Sequence, residues 1–290
     1  MTTKRKATKK SPAKRPRSAR AAMSVATSEN KPVKERVQAM AEAAGAVCEN
    51  DQDLQSVLTV LRNQDEAIEV RLAALQSLQA ASFSVVTFES CRSDYIATLR
   101  KVATDPNPEL RQRVLGILAR EKDGYASKKL LDGLKNPDKA LVPPEKALQL
   151  LGYDIHAETY QIAREIVKDP PNEDAKQEAL RLLAADAKSA PVFEKLLRDK
   201  EETKEVRQVA AAALQALKPD KLQENAREIL LDDSDFDDIK ATSLTALTQF
   251  GDEEAVAKDD KLRKQVTKIS TKGGVKAKRS ARHFISKYGK

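Results

Sequence analysis

The amino-acid sequence predicts an all-α fold, an α-solenoid of about seven helical hairpins. Three observations predict it: a helix-favouring composition, an apolar pattern that recurs along the chain, and prolines confined to the predicted turns. Only 4% of the 290 residues are aromatic, and Trp is absent. Ala, Leu, Lys, Glu, Gln and Arg dominate instead, and these residues favour helix because they lose little rotamer freedom there.

The repeat lies in the second helix of each predicted hairpin. Segments 69–78 (EVRLAALQSL), 109–118 (ELRQRVLGIL) and 205–214 (EVRQVAAAAL) share an apolar residue, then Lys or Arg, then an apolar pair. Aligned on the second residue of that pair, the series is Leu75, Leu115, Leu148, Leu180, Ala211, Leu244 and, weakly, Ser280. Such a period is typical of solenoids, in which each unit buries its apolar face only against its neighbours.

A first helix precedes each second helix, for example at 54–63 (LQSVLTVLRN) and 192–200 (VFEKLLRDK). Every proline after residue 30 falls in a predicted turn or first helical turn, where the missing N–H of Pro is tolerated. The hairpins are therefore predicted from about Asp51 to the C-terminus, preceded by a capping helix from about Val33 to Cys48.

These hairpins resemble HEAT repeats, the two-helix repeats of α-solenoid scaffolds. The resemblance lies in an acid late in the first helix or turn, followed by the pattern V-R-x-x-A-L-x-x-L. The acids are Asp65, Asp105, Asp138, Asp169, Asp199 and Asp232, and the basic positions are Arg71, Arg111, Lys176, Arg207, Lys240 and Lys276. The resemblance implies a structural ladder of ion pairs, and a row of cations along a phosphate backbone is the alternative. Hairpin three departs from the pattern with Pro143 and Pro144, and hairpin seven keeps only its first half.

Charge is segregated along the chain. Residues 1–36 and 258–290 each carry a net charge of +10, whereas residues 37–257 carry −12, within a total of +8. A phosphate backbone is attracted to cations and repelled by an acidic surface. Contact with nucleic acid is therefore expected at the two ends and not along the middle.

The predicted domains are a disordered basic tail at 1–31 and the solenoid at 32–290, with a basic C-terminal cap at about 258–290. The tail has no apolar pattern that would offset its chain entropy. Its candidate nucleic-acid-binding residues are Lys4, Arg5, Lys6, Lys9, Lys10, Lys14, Arg15, Arg17 and Arg20. Those of the cap are Arg263, Lys264, Lys268, Lys276, Lys278, Arg279, Arg282 and Lys287, beside Phe284 and Tyr288, which are expected to seal the core.

No catalytic residue, metal site or cofactor is predicted. Cys48 and Cys91 lie in apolar helical patterns without CxxC spacing, which predicts two buried free thiols. His156 and His283 are too few for a zinc site. Some HEAT-like proteins are DNA glycosylases, bilin lyases or iron hydroxylases. Because this chain has no Trp and no His-Glu dipeptide, their catalytic residues cannot be carried over, and the chain is expected not to be an enzyme.

The predicted function is a non-enzymatic scaffold that binds a protein partner and contacts DNA or RNA non-specifically through the tail and the cap. The alternatives are a HEAT-like enzyme, glycosylase-like or lyase-like, and a pure protein-binding adaptor. In the latter, the run LDDSDFDD at 231–238 is a candidate receptor for a basic peptide, although it also suits a turn. No membrane span is expected, because no run of about 18 apolar residues occurs. The protein is expected to be intracellular, nuclear in a eukaryote and cytoplasmic or nucleoid-associated in a bacterium.

Overall fold

The computed structural model describes residues 18–288, and these form an all-α fold of packed helical hairpins. The fold class predicted from the sequence is confirmed. No strand occurs within residues 18–288. The helices are α1 (Ala19–Ala26), α2 (Val33–Glu42), α3 (Asp51–Arg62), α4 (Ile68–Ser82), α5 (Val85–Val102), α6 (Pro108–Arg120), α7 (Gly124–Lys135), α8 (Pro144–Leu151), α9 (Ala157–Lys168), α10 (Glu173–Leu183), α11 (Ala190–Arg198), α12 (Lys204–Leu217), α13 (Pro219–Leu231), α14 (Asp237–Phe250), α15 (Glu253–Lys258), α16 (Asp260–Lys272) and α17 (Val275–Tyr288).

The chain divides into two compact units at residue 126, within α7. In the first unit α1 packs on α2, α3 on α4, and α5 on α6. In the second, α9 packs on α10, α11 on α12, α13 on α14, and α16 on α17. Short 3-10 turns at Ala44–Ala46, Pro137–Lys139 and Ala187–Ser189 complete the connections.

Helix α1 lies inside the segment that was predicted to be a disordered tail. Its residues Ala22, Met23 and Ala26 are buried, because this short apolar face packs against α2. At its N-terminus, the Ser18 hydroxyl accepts a hydrogen bond from the backbone N–H of Ala21. The folded chain therefore begins before residue 32. The rest of the predicted tail, residues 1–17, lies outside the described residues.

The repeat positions form the core of the second helices. All but one of the aligned residues are buried: Leu75, Leu115, Leu148, Leu180, Ala211 and Leu244. The exception is Ser280, which is only half-buried, while Ala277 and Ala281 of α17 are fully buried. The predicted register of hairpin seven is therefore wrong by one residue, because the apolar face of α17 runs through Ala281 and Phe284.

A buried arginine links successive hairpins. Arg207 of α12 donates from Nε to the carbonyl of Leu197 at 2.9 Å, and from Nη1 and Nη2 to the two carboxylate oxygens of Asp235 at 2.7 and 2.6 Å. Both side chains are at most 2% exposed. Because the three guanidinium nitrogens and both carboxylate oxygens all have partners, the pair avoids the cost of a buried, unsatisfied charge.

The same geometry recurs twice in the first unit. In each case the guanidinium donates to a carbonyl ten residues earlier and to an acid in the next turn. Arg36 contacts the Ala26 carbonyl and Glu66, and Arg71 contacts the Leu61 carbonyl and Asp105. Of the other predicted ladder residues, Lys176 pairs with Glu202 at 2.7 Å. Lys240 and Arg111 instead donate to the turn carbonyls of Asp233 and Asp105.

For most of these contacts, the acid that meets the cation lies one to three residues after the acid predicted from the sequence. Asp105 is the partner that was predicted, but Glu66, Glu202 and Asp235 replace Asp65, Asp199 and Asp232. The earlier acid has a different role: the side chains of Asp199 and Asp232 accept the backbone N–H two residues later. Such a side-chain turn shapes the loop, so the later acid is left to meet the cation.

Removal of one such arginine should destabilise the protein strongly. Arg207→Ala leaves the buried Asp235 carboxylate without its partner, so we expect a loss of about 3–5 kcal/mol in the free energy of unfolding. The measurement is urea unfolding followed by far-UV circular dichroism.

The control is Arg181→Ala, which breaks an ion pair with Glu178 in which Arg181 is 70% exposed. It should cost no more than about 0.5 kcal/mol. The double variant Arg207→Met with Asp235→Leu should recover most of the loss, since it removes both charges. Equal losses for Arg207→Ala and Arg181→Ala would contradict the proposed role of the buried contact.

The two cysteines, 43 positions apart in the sequence, meet in the first unit. Cys91 is buried, as predicted, whereas Cys48 was also predicted to be buried and is only half-buried. Burial and a hydrogen bond with Cys91 raise the pKa of Cys48 to about 12. The sequence predicted the burial of Cys91 but not the contact, because Cys48 follows α2 and Cys91 lies in α5.

The Cys48 thiol should therefore react slowly in the folded protein. A pKa near 12, against about 8.5 for an exposed cysteine, lowers the thiolate fraction at pH 8 by about a thousandfold. Alkylation by iodoacetamide, followed by mass spectrometry, should be at least about a hundredfold slower than in urea. Cys91→Ser, which keeps a hydrogen-bonding side chain, serves as the control for Cys91 labelling. Equal rates in folded and unfolded chains would refute the contact between the two thiols.

Candidate functional site

Helices α14, α16 and α17 pack around one apolar core in the second unit. Leu244, Leu262, Val266, Phe284 and Tyr288 are buried there. The Phe284 and Tyr288 rings lie 4.8 Å apart, and the Tyr288 hydroxyl donates to the carbonyl of Leu247 at 2.8 Å. These aromatic side chains therefore seal the core, as the sequence predicted, and fix the position of α17.

The turn between α13 and α14 joins this core to the neighbouring hairpins. We call residues 232–238 the acidic turn. Its five aspartates all have partners, which are Lys200 for Asp232, Gln265 and Lys268 for Asp233, Arg207 for Asp235, the backbone N–H of Gly274 for Asp237, and Lys204 and Lys276 for Asp238. Because these contacts use the carboxylates, the structure favours the turn interpretation over a receptor for a basic peptide.

The pKa values follow from these contacts. Hydrogen bonds from Lys200 and Ser234 hold the pKa of Asp232 far below its usual range. Hydrogen bonds from Lys268 and Lys204 likewise lower the pKa values of Asp233 and Asp238. All three groups are therefore ionised at neutral pH and fasten the turn to the helices on either side.

Half of the cations predicted for the C-terminal cap are engaged within the protein. Lys268 pairs with Asp233 at 2.6 Å and Lys276 with Asp238 at 3.2 Å. The others are Arg263, which donates to the carbonyl of Ala257, and Lys287, which donates to the carbonyl of Thr248 and lies 5.0 Å from the Tyr288 ring centroid.

The remaining cations have no acid partner within the described part of the chain. Lys264 lies exposed on α16, and Lys278, Arg279 and Arg282 lie on α17. Positions 278 and 282, and 279 and 282, are neighbours on a helix surface. We call Lys278, Arg279 and Arg282 the α17 basic face. It is a rigid, positively charged surface held by a sealed core.

Helix α17 also borders a groove of about 520 Å³ with α12 and α14, and Arg279 of the α17 basic face lies at its edge. We call it the second-helix groove. Its lining includes small residues and the amides of Gln208, Gln215 and Gln249. Lys276 and Arg279 lie at its α17 side. This surface offers hydrogen-bond donors and acceptors with little bulk, which suits an extended polypeptide backbone.

The tail candidates are described only in part. Arg20 is exposed on α1, and the other predicted tail residues lie outside the described residues.

The structure also tests for catalytic groupings. Within residues 18–288, no group of three or more His, Cys, Asp or Glu side chains is placed to hold a metal ion. None of the helices described is long and apolar enough to cross a bilayer.

Acid should weaken the protein through the acidic turn. Groups whose folded pKa is lowered add stability above their unfolded pKa of about 3.9, and this stability is lost as the pH falls below about 4. The cost of Asp238→Asn, measured as the shift in urea midpoint, should therefore shrink between about pH 6 and pH 3, because protonation of Asp238 removes the same contacts with Lys204 and Lys276. The exposed Asp220→Asn is the control, with a small cost at every pH. A cost of Asp238→Asn that stays constant would contradict the assigned contacts.

Comparisons with known proteins identify no family. No family model matches the chain, and no curated protein matches it. Among solved structures, the chain is similar to the complex of CpcE and CpcF of phycocyanin lyase from Nostoc sp. PCC7120, with 15% identity, a TM-score of 0.42, and coverage of 91% of this chain and 98% of that chain. It is also similar to human deoxyhypusine hydroxylase in complex with glycerol, with 16% identity, a TM-score of 0.34, and coverage of 84% and 98%.

The expectation that the chain is not an enzyme is wrong as it stands, because both similar structures are of enzymes, a lyase and a hydroxylase. At these identities and TM-scores no substrate or residue role passes to this chain. Absence of catalysis is therefore not part of the function proposed below.

Proposed function

We propose that this HEAT-like protein is a scaffold that contacts DNA or RNA non-specifically through its C-terminal helices and its basic N-terminal segment. The observation that carries the proposal is the α17 basic face, Lys278, Arg279 and Arg282, which has no acid partner among residues 18–288. Cations on a fixed surface bind phosphates by releasing condensed counterions, without reading the base sequence.

The neighbouring charges support this assignment. The aspartates of the acidic turn are already bound to Lys268, Lys276 and other donors, so their negative charge is largely neutralised locally. Arg279 and Arg282 are exposed, and a guanidinium matches the geometry of a phosphate. A phosphate backbone that approaches α17 therefore meets a net positive surface.

A protein partner is the second part of the proposal. The second-helix groove presents the Gln208, Gln215 and Gln249 amides, which make no side-chain hydrogen bond within residues 18–288. An extended polypeptide offers complementary N–H and C=O groups. Binding through neutral amides depends little on salt, whereas phosphate contacts weaken steeply. A protein that stays bound through a high-salt wash that strips nucleic acid, and that is lost when Gln208 and Gln249 are replaced by Ala, would therefore support binding at the groove.

The α17 basic face should determine how duplex binding depends on salt. Fluorescence anisotropy with a generic labelled duplex, between about 50 and 200 mM salt, gives the log–log slope, whose magnitude is about 0.9 for each phosphate that the protein neutralises. Arg279→Gln with Arg282→Gln removes two such cations, so it should weaken binding and make the slope shallower by about 1.8.

The matched control is Lys188→Gln with Lys195→Gln, which removes the same charge from exposed positions just before and within α11, away from α17. It should change binding little. A chain that begins at Ser18 keeps α1 but lacks the cations of residues 1–17. Its log–log salt slope should be shallower than that of the full chain, and it should still bind the duplex through α17. Equal effects of the two paired variants would mean that only net charge matters and would overturn the assignment to α17.

A further inference from the structure

The arginine contacts between hairpins define a geometric rule for the fold. In Arg36, Arg71 and Arg207, Nε donates to the carbonyl ten residues earlier, and the guanidinium then meets an acid in the next turn. Arg71 and Arg207 each lie four positions before the buried residue of the repeat. The arginine side chain therefore fills the space between one hairpin and the next.

The hairpin of α7 and α8 lacks this contact. The cationic position, four residues before the buried Leu148, is Pro144. The acid that receives a cation from the preceding hairpin lies five residues before the next cationic position, as Glu202 lies before Arg207. The residue five positions before Lys176 is Pro171. Proline carries neither a charge nor a donor. The carbonyl of Leu134, ten residues before Pro144, therefore receives no arginine from this position.

A groove of about 700 Å³ occupies the place of the missing contact. Pro144, Pro171 and Leu134 all line it. Its walls include the side chains of Ile162 and Ile166 of α9. Its volume lies in the range of ordinary ligand sites, and its apolar walls match the methylene chain of an arginine.

Two carboxylates stand at this groove. Glu165 and Asp169, one helical turn apart at the end of α9, line it and are exposed. Neither has an ion-pair partner in the described part of the chain, and Glu165 accepts only a long hydrogen bond from Gln161, at 3.5 Å. Lys135, which also lines the groove, is already paired with Glu158 at 2.5 Å.

We propose that this groove binds an arginine side chain from a partner polypeptide, which supplies the contact that Pro144 and Pro171 leave out. The partner is a segment with one arginine between apolar residues. Its methylenes pack against the isoleucines and prolines, and its guanidinium reaches the Leu134 carbonyl and the carboxylates of Glu165 and Asp169. Arginine fits better than lysine, because one planar group serves a carbonyl and a carboxylate together, as in Arg207. The proposal is independent of nucleic-acid contact at α17.

The probe is the peptide acetyl-Leu-Pro-Arg-Pro-Leu-amide, titrated into the full chain by isothermal calorimetry. The expected result is saturable one-to-one binding. The same peptide with citrulline, which keeps the shape but not the charge, should bind at least about tenfold more weakly, and the lysine peptide should fall between them. Equal affinities for the arginine and citrulline peptides, or no saturable binding of the arginine peptide, would overturn the proposal.

Two variants test the site itself. Glu165→Gln with Asp169→Asn should weaken binding of the arginine peptide at least about fivefold, whereas the exposed pair Glu201→Gln with Asp220→Asn should leave it unchanged. Pro144→Arg with Pro171→Glu restores both members of the contact, so it should abolish peptide binding and keep or raise the urea midpoint. If the two carboxylate pairs have the same effect on affinity, the peptide binds by general charge attraction and the assignment fails, whether or not the Pro144→Arg chain folds.

Discussion

The contact on which the rest of the structure depends is the buried arginine that crosses from one hairpin to the turn of the next. A guanidinium such as that of Arg207 loses its hydration when it is buried, and only a carbonyl and a carboxylate in the right places compensate. Apolar packing alone would tolerate small slips between hairpins. The Leu197–Arg207–Asp235 contact does not, because a slip of one residue would leave two charges buried and unpaired.

The same requirement organises the surface charge of the second unit. The acidic turn serves the preceding hairpin through Lys200, Lys204 and Arg207, and the following helices through Lys268 and Lys276. The negative charge of the acidic turn is therefore bound within the fold. The α17 basic face keeps its positive charge. A count of charges in the sequence could not distinguish its residues from paired cations such as Lys268 and Lys276.

Much of the fold follows from the sequence, because its signals are local. The spacing of Leu75, Leu115 and Leu180 reports one buried helix face, and each of these residues is buried. The errors arise where a tertiary contact decides. Helix α1 is short and adjoins a block of cations, so its apolar face has meaning only beside α2. The partner of Arg207 is Asp235 and not Asp232, because the shape of the turn determines which acid faces the cation. The sequence predicted the cations of the candidate site but not which of them are free to bind a ligand. That depends on ion pairs with acids that are distant in the sequence, such as Asp233 with Lys268.

A departure from a repeat is informative once the repeat has a physical role. In the sequence, Pro143 and Pro144 only weaken the resemblance of hairpin three to the others. Once the geometry of Arg36, Arg71 and Arg207 is known, Pro144 marks the place where an arginine side chain is missing, and Pro171 marks the missing acid. If the two prolines served only packing, their neighbours would be expected to close over them, as core residues close over small side chains elsewhere. Instead the groove stays open and borders two carboxylates that have no ion pair within residues 18–288, which is the arrangement expected of a surface that receives its cation from another chain.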